Sequence, residues 1–395
     1  MTRGSALRAR AALLMILWLL AGCGSSHANG SSAQNVRASE RQTDFVNTGA
    51  ELPPYEVSDF APVGARTAWA LTFGNQIRNQ SQSVQRSGNG GADWLNVAPH
   101  GFRRGGRLRN LSSIDVLDPV RAWIDYGSIE GGRQSLLVTA DGGRTWIRAG
   151  RTPPHCDVQF VNRLDGWCVE IDGALGSEFV RIYRTTTAGR AWRQVSRNDP
   201  PGQPSTRDPI PFGCDKSVMF TSPTDGFASS TCNGGGGFIY ATTDGGSRWH
   251  RRLSLPASVG ESGGEEFTAV VASGRNDAVG YTVHGRTRST SVVYHSVDDG
   301  LRWTRIRPPG RPRDYDVDIV TPRVWRLATS RTVLDTDNAG RTWTRIIANV
   351  ALSRASQVLF TTTDVGWDIP LGGVSDSVLR TTDGGRHWTT VHVPQ

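Results

Sequence analysis

From about residue 43 onward, apolar and polar residues alternate in short runs such as Val158-Gln159-Phe160, Phe179-Val180-Arg181-Ile182-Tyr183 and Val358-Leu359-Phe360. Gly, Asp, Pro and Asn separate these runs. Alternation at period two, bounded by turn residues, predicts half-buried β-strands. No segment after residue 42 keeps a 3.6-residue apolar period long enough for a helix. The pattern predicts an all-β chain.

The tryptophans show how the strands are grouped. Of 13, Trp18 stands alone near the N-terminus and the other twelve fall at two recurring positions. The first ends a Ser/Thr-x-Asp-x-Gly-x-x-Trp box, which is complete at Thr139 to Trp146, Thr242 to Trp249, Ser296 to Trp303 and Thr381 to Trp388. Their third positions are Asp141, Asp244, Asp298 and Asp383. Three further copies end at Trp94, Trp192 and Trp343, with Asn89, Thr187 and Asn338 in place of Asp. The second position lies 18 to 25 residues before each box Trp, at Trp69, Trp123, Trp167, Phe227, Val279, Trp325 and Trp367. Box tryptophans recur every 40 to 57 residues. That spacing fits one four-stranded blade and is too short for an independent domain. The expected fold is a single seven-bladed β-propeller over residues 43–395. Each blade reads as strands A to D, with the second aromatic on strand B and the box between C and D.

Turn chemistry explains the box. A tight turn between two strands leaves backbone N–H groups without ladder partners, and a short side-chain acceptor at its third position can bond them. Gly at the fifth position permits a positive φ. The Trp buries a large apolar face and keeps an N–H that can find an acceptor. Asn and Thr can stand in for Asp, so the box residues are expected to be structural and not catalytic.

These boxes, together with Asp165-Gly166-Trp167 and Asp225-Gly226-Phe227, resemble those of the photosystem II stability/assembly factor family. Members of that family are seven-bladed, exported and, in cyanobacteria, lipid-anchored. More distantly the boxes are similar to those of sialidases and xyloglucan-active glycosidases. In all of these the resemblance implies a structural box lying away from the ligand face.

The N-terminus adds a destination. Arg3, Arg8 and Arg10 precede an apolar run from Ala11 to Leu20, followed by Ala21-Gly22-Cys23. The layout is that of a signal peptide over residues 1–22, and its last residues resemble a bacterial lipobox, with Cys23 the acylated thiol. An ordinary signal peptide with an incidental Cys23 is the other reading. An uncleaved membrane helix would need about 20 apolar residues. Residues 23–42 are small and polar and read as a tether. The protein is then expected on the extracytoplasmic side of a bacterial envelope, at the outer membrane of a diderm or the outer face of a monoderm membrane. Its formal charge of +8 falls to +5 without the leader's three arginines, and Lys216 is the one lysine. An excess this small and this rich in Arg does not imply nucleic acid.

Export makes disulfides the default for the four body cysteines, Cys156, Cys168, Cys214 and Cys232. No C-x-x-C spacing occurs among them and the histidines do not cluster, so neither a metal nor a cofactor is expected. Four cysteines allow three pairings. An antiparallel A–B hairpin in each of the third and fourth repeats favours Cys156 with Cys168 and Cys214 with Cys232. If the first pair sits directly opposite, the second is one residue out of register.

Candidate chemistry is thinner. No Arg-Ile-Pro stands near the propeller start, and Arg305-Ile306-Arg307 comes too late for a sialidase pattern. Asp157, Glu170, Glu265, Glu266, Asp314 and Asp316 can converge on the axis, but nothing in the sequence pairs them. Two arginine clusters follow boxes: Arg103, Arg104, Arg107 and Arg109, then Arg305, Arg307, Arg311 and Arg313. Arg103 to Arg109 and Arg311 to Arg313 fall on D-to-A connections, opposite the boxes, where guanidinium forks suit carboxylate- or phosphate-bearing partners. The assembly-factor resemblance implies a similar arginine patch for a membrane-protein client. The expected function is a non-enzymatic protein-binding or assembly-scaffold propeller with no catalytic residue. The alternative is a carbohydrate-active propeller hydrolase, which an axial pair of carboxylates would distinguish.

Overall fold

Each repeat folds as one antiparallel sheet in the order A-B-C-D. Seven such four-stranded sheets are present: Tyr55–Asn96, Arg109–Arg151, Cys156–Asn198, Asp215–Leu255, Glu265–Ile306, Asp316–Ile347 and Ser356–His392, called here blades 1 to 7. The computed structural model describes residues 55–395 except 75–81, 100–108, 129–133, 174–177, 199–205, 232–236, 256–264, 273–277, 285–291, 311–315, 330, 353–355 and 371–374. The leader, Cys23 and the tether lie outside the described residues. No helix among the described residues is long and apolar enough to cross a membrane.

The apolar core is divided among the joints between blades. Seven buried clusters are found, and each spans one joint. The cluster of Val57, Phe60, Trp367 and Ile369 joins blade 7 back to blade 1. The sheets thus form a closed propeller ring, with the A strands of blades 1 and 2, 2 and 3, 4 and 5, 5 and 6, and 6 and 7 in contact.

A recurring set of rings builds the joints. The strand-B indole of one blade stacks on a strand-A phenylalanine of the next: Trp123 on Phe160 with planes 7° apart, and Trp167 on Phe220 with planes 6° apart. The same phenylalanine then meets the box tryptophan of its own blade edge-on, as Phe160 meets Trp192 and Phe220 meets Trp249. Fully burying such a side chain stabilises by roughly 1.5–3 kcal/mol.

Polar latches cross the same joints. Asp59 accepts the Ile114 N–H at 3.0 Å and Asp115 accepts the Phe160 N–H at 2.8 Å. Gln159 exchanges two bonds of 2.9 Å with the Phe220 backbone, and Asp318 accepts the Phe360 N–H. Arginines clamp the box end. Arg86, Arg184 and Arg380, each just before a box Ser or Thr, lie over Trp69, Trp167 and Trp367. Arg86 donates to Pro119 O and Arg380 to Ala65 O in the following blade. Part of the arginine excess is therefore structural.

The box turns work by side-chain bonding. The Thr139 hydroxyl donates to Asp141 Oδ1 at 2.8 Å and accepts the Gly143 N–H at 2.9 Å, while Asp141 Oδ1 accepts the Thr145 N–H at 3.0 Å. The first-position hydroxyl is thus as much a part of the turn as the third-position acid. Asp244, Asp298 and Asp383 accept in the same way, and Asn89, Thr187 and Asn338 replace them. The fifth-position glycines all have positive φ, from +76° at Gly300 to +97° at Gly385. The indoles of Trp249, Trp303, Trp343 and Trp388 each donate to the carbonyl of the fifth-position glycine, whereas Trp146 donates across the joint to Val97 O.

Candidate active site

Strand alternation places the candidate chemistry in the joint between blades 2 and 3. Trp123 on strand B of blade 2 packs against Cys156, Val158 and Phe160 of blade 3. Asp125, two residues on, shares that face of the strand. In blade 3, Cys168 packs back toward blade 2. Glu170, two residues past it, therefore also faces blade 2. Two buried carboxylates thus enter one joint from opposite sheets, near the end away from the box turns.

Their surroundings differ. Glu170, 5% exposed, is ion-paired to Arg181 at 2.8 Å and accepts from the Tyr183 hydroxyl at 3.5 Å. Asp125, 2% exposed, accepts from the Thr152 hydroxyl, whose oxygen lies 3.2 and 3.4 Å from the two carboxyl oxygens. Burial pushes the Asp125 carboxyl up to about 7, and the charge of Asp157 pushes in the same direction. Asp157 stands exposed on strand A of blade 3, opposite Val169 in the ladder. The outcome is a carboxyl that holds its proton near neutral pH within electrostatic reach of an exposed one. Such pairs divide acid and base roles between two residues of the same type.

Of the carboxylates named from sequence, Asp157 acts on Asp125 through its charge but alternates onto the sheet face that carries Gln159, toward blade 4, and Glu170 is tied to Arg181. Glu265, Glu266 and Asp316 open the A strands of blades 5 and 6, their side chains outside the described residues, as is Asp314 altogether. Arg103, Arg104, Arg107, Arg311 and Arg313 also lie outside the described residues. Arg109 begins strand A of blade 2, opposite Ser128. Sequence reasoning missed Asp125 and Thr152. A signal was available, since the position two past the landmark aromatic is Leu71, Val169, Ser229, Tyr281, Leu327 and Ile369 in the other blades and an acid only in blade 2.

The Cys156–Cys168 disulfide borders the site, with 5.3 Å between Cα atoms. Its register differs from expectation. Cys156 stands opposite Glu170 and Cys168 opposite Val158, so the bridge is diagonal. In blade 4 the ladder sets Phe220 opposite Gly226 and Asp215 opposite Thr231, and Cys214 precedes its first residue. Cys214 is disulfide-bonded, and Cys232 lies outside the described residues. No group of three or more metal-ligating side chains occurs among the described residues.

No family model and no curated protein matches the chain. Solved structures do. A GH74 enzyme from Niastella koreensis is 13% identical over 86% of this chain and 62% of its own, with a TM-score of 0.31. A structure from work on two prolyl endopeptidases is 14% identical over 87% of this chain and 50% of its own, with a TM-score of 0.54. A polysaccharide lyase, PL25 ulvan lyase, is 9% identical over 87% of this chain and 99% of its own, with a TM-score of 0.47. The chain spans between half and two thirds of the first two. At these identities the likeness is one of propeller fold. The three matched chains are a glycoside hydrolase, an endopeptidase and a polysaccharide lyase, and none of them is a non-enzymatic binding or assembly scaffold of the kind expected from the sequence.

Proposed function

We propose that this protein is a carbohydrate-active propeller hydrolase that cleaves glycosidic bonds at the blade 2–blade 3 joint. The observation that carries the reading is Asp125, a buried carboxyl bonded by the Thr152 hydroxyl and raised to about 7, with the charge of Asp157 acting on it. Hydrolysis of an acetal needs a protonated carboxyl to donate to the leaving oxygen and an ionised one to receive the sugar or activate water. Asp125 fills the first role and exposed Asp157 the second, so substrate approaches from the Asp157 side. Glu170, neutralised by Arg181, supports the wall of the site. On this reading the protein belongs among Asp-box propellers, works outside the cell and is held there through lipid on Cys23, so Cys23→Ser frees it from the membrane fraction.

The test is a reducing-sugar assay of the purified protein on a panel of plant and microbial polysaccharides. Wild type releases sugar from at least one of them. Asp125→Asn and Asp157→Asn each lose roughly a hundredfold or more of that activity, the scale of a lost general acid or base. Activity unchanged in both variants, or absent on every glycan, refutes the assignment.

A further inference from the structure

Thr152 lies in the connection from strand D of blade 2 to strand A of blade 3, and 2% of it is exposed. Its position is fixed from both sides. Its own N–H donates to Gln134 O of blade 2 at 3.1 Å. Beyond it come Pro153 and Pro154, whose rings lock φ, then His155 with φ of 55°, then Cys156 in its disulfide with Cys168. Only three residues separate Thr152 from that bridge. The hydroxyl is thus held between the two sheets whose carboxylates share the joint, within bonding distance of both Asp125 oxygens.

We infer that Thr152 is the positioning residue of the Asp125 site, its fixed hydroxyl holding the carboxyl in one orientation and setting how readily it releases its proton. The inference rests on the reading of Asp125 as the acid. A hydroxyl that donates to a carboxylate favours the ionised form and opposes burial, which favours the neutral one. The titratable and charged groups on the elements packed against blade 2 at this joint are Asp157 on strand A of blade 3, Glu170 and Arg181 on its strands B and C, and His155 on the connection, and of these Asp157 acts on Asp125. Like charge at Asp157 raises the proton affinity of Asp125. Among the groups named, the Thr152 hydroxyl bonds Asp125 directly and pulls the other way. Without it, Asp125 keeps its proton to higher pH and donates it less readily.

The experiment is a carbon-13 NMR pH titration of the intact protein labelled at aspartate, with the Asp125 carboxyl assigned by its loss in Asp125→Asn. Thr152→Val and, as a second variant without the hydroxyl, Thr152→Ala are compared with Thr152→Ser. Val and Ala move the Asp125 midpoint upward by about half a pH unit or more, the size expected for one lost hydrogen bond. Ser restores the wild-type midpoint. An unmoved midpoint in the folded Val or Ala variant overturns the inference. The readout is independent of turnover. If the midpoint moves while no glycan is cleaved, the hydrolase reading fails and the positioning role stands. If a glycan is cleaved through Asp125 and the midpoint stays, the positioning role fails alone.

Discussion

The Trp167 indole lies flat on the Phe220 ring, with centroids 3.9 Å and planes 6° apart, although the two residues belong to different blades. Trp123 and Phe160 repeat the relationship one joint earlier at 3.9 Å and 7°. Phe220 is fully buried and also meets Trp249, so one ring ties two blades and a box turn together.

Removing that ring should be costly. Phe220→Ala leaves a cavity between two sheets that cannot close without breaking the Gln159 latch, and about 3–5 kcal/mol of stability should be lost. Phe220→Leu should lose less than half of that. Urea unfolding followed by tryptophan fluorescence measures both, and equal losses would contradict the stacking account.

The box turns allow a test of opposite sign at two neighbouring positions. Gly143 has φ of +86°, and a Cβ there would come within 2.7 Å of the Val97 Cβ. Gly143→Ala should therefore destabilise by roughly 2 kcal/mol or more, combining left-handed backbone cost with overpacking. At the fourth position of its box, Ala188 already carries a left-handed φ of 58°. Ala188→Gly relieves strain and should stabilise by up to about 1 kcal/mol. Thermal melts of the two variants should move in opposite directions.

Asp125 gives stability an unusual pH dependence. Its folded-state value, about 7, lies above the ordinary 3.8. The folded state therefore binds the proton more tightly, and its contribution is fully present below pH ~4 and lost as pH rises through about 7. The difference is at most on the order of 4 kcal/mol. The box acids act in the other direction. Hydrogen bonds within its turn, chiefly from the Thr145 hydroxyl, hold Asp141 down at about 2, so its contribution is present above pH ~4 and lost as pH falls toward 2. Asp125→Asn should be more stable than wild type at pH 8 and gain nothing at pH 4. Chemical denaturation at the two pH values decides the matter, and an equal difference at both would exclude Asp125 as the source.

The disulfides predict a peptide map. Non-reducing digestion should yield Cys156 linked to Cys168 and Cys214 linked to Cys232. Replacing Cys156 and Cys168 with Ser opens a loop whose ends are 12 residues apart and should lower stability by about 3 kcal/mol. A peptide linking Cys168 to Cys214 would refute the hairpin pairing.

Much of the architecture was legible because it repeats. Thr139, Asp141 and Gly143 form their turn from atoms within four residues of one another, so the box announces its turn wherever it occurs. Trp167 and Phe220 mark strands B and A of successive blades, and their spacing gives the blade length. The hairpin bridge in blade 3 was legible for the same local reason. Its diagonal register was not, because the turn alone does not decide which residue of strand A opposes Cys168.

By itself the sequence determined the strands, their order within each blade, the box turns and the number of repeats, because turn chemistry and period-two alternation act over a few residues. Only the tertiary structure decided which carboxylate became an acid. Asp125 is pushed to about 7 because the ring brings blade 3 against its face, removes it from water and places Asp157, 32 positions later in the chain, within reach of its charge. Desolvation and Coulomb interaction depend on what surrounds a group in space, and for Asp125 those neighbours arrive only when one blade closes on the next.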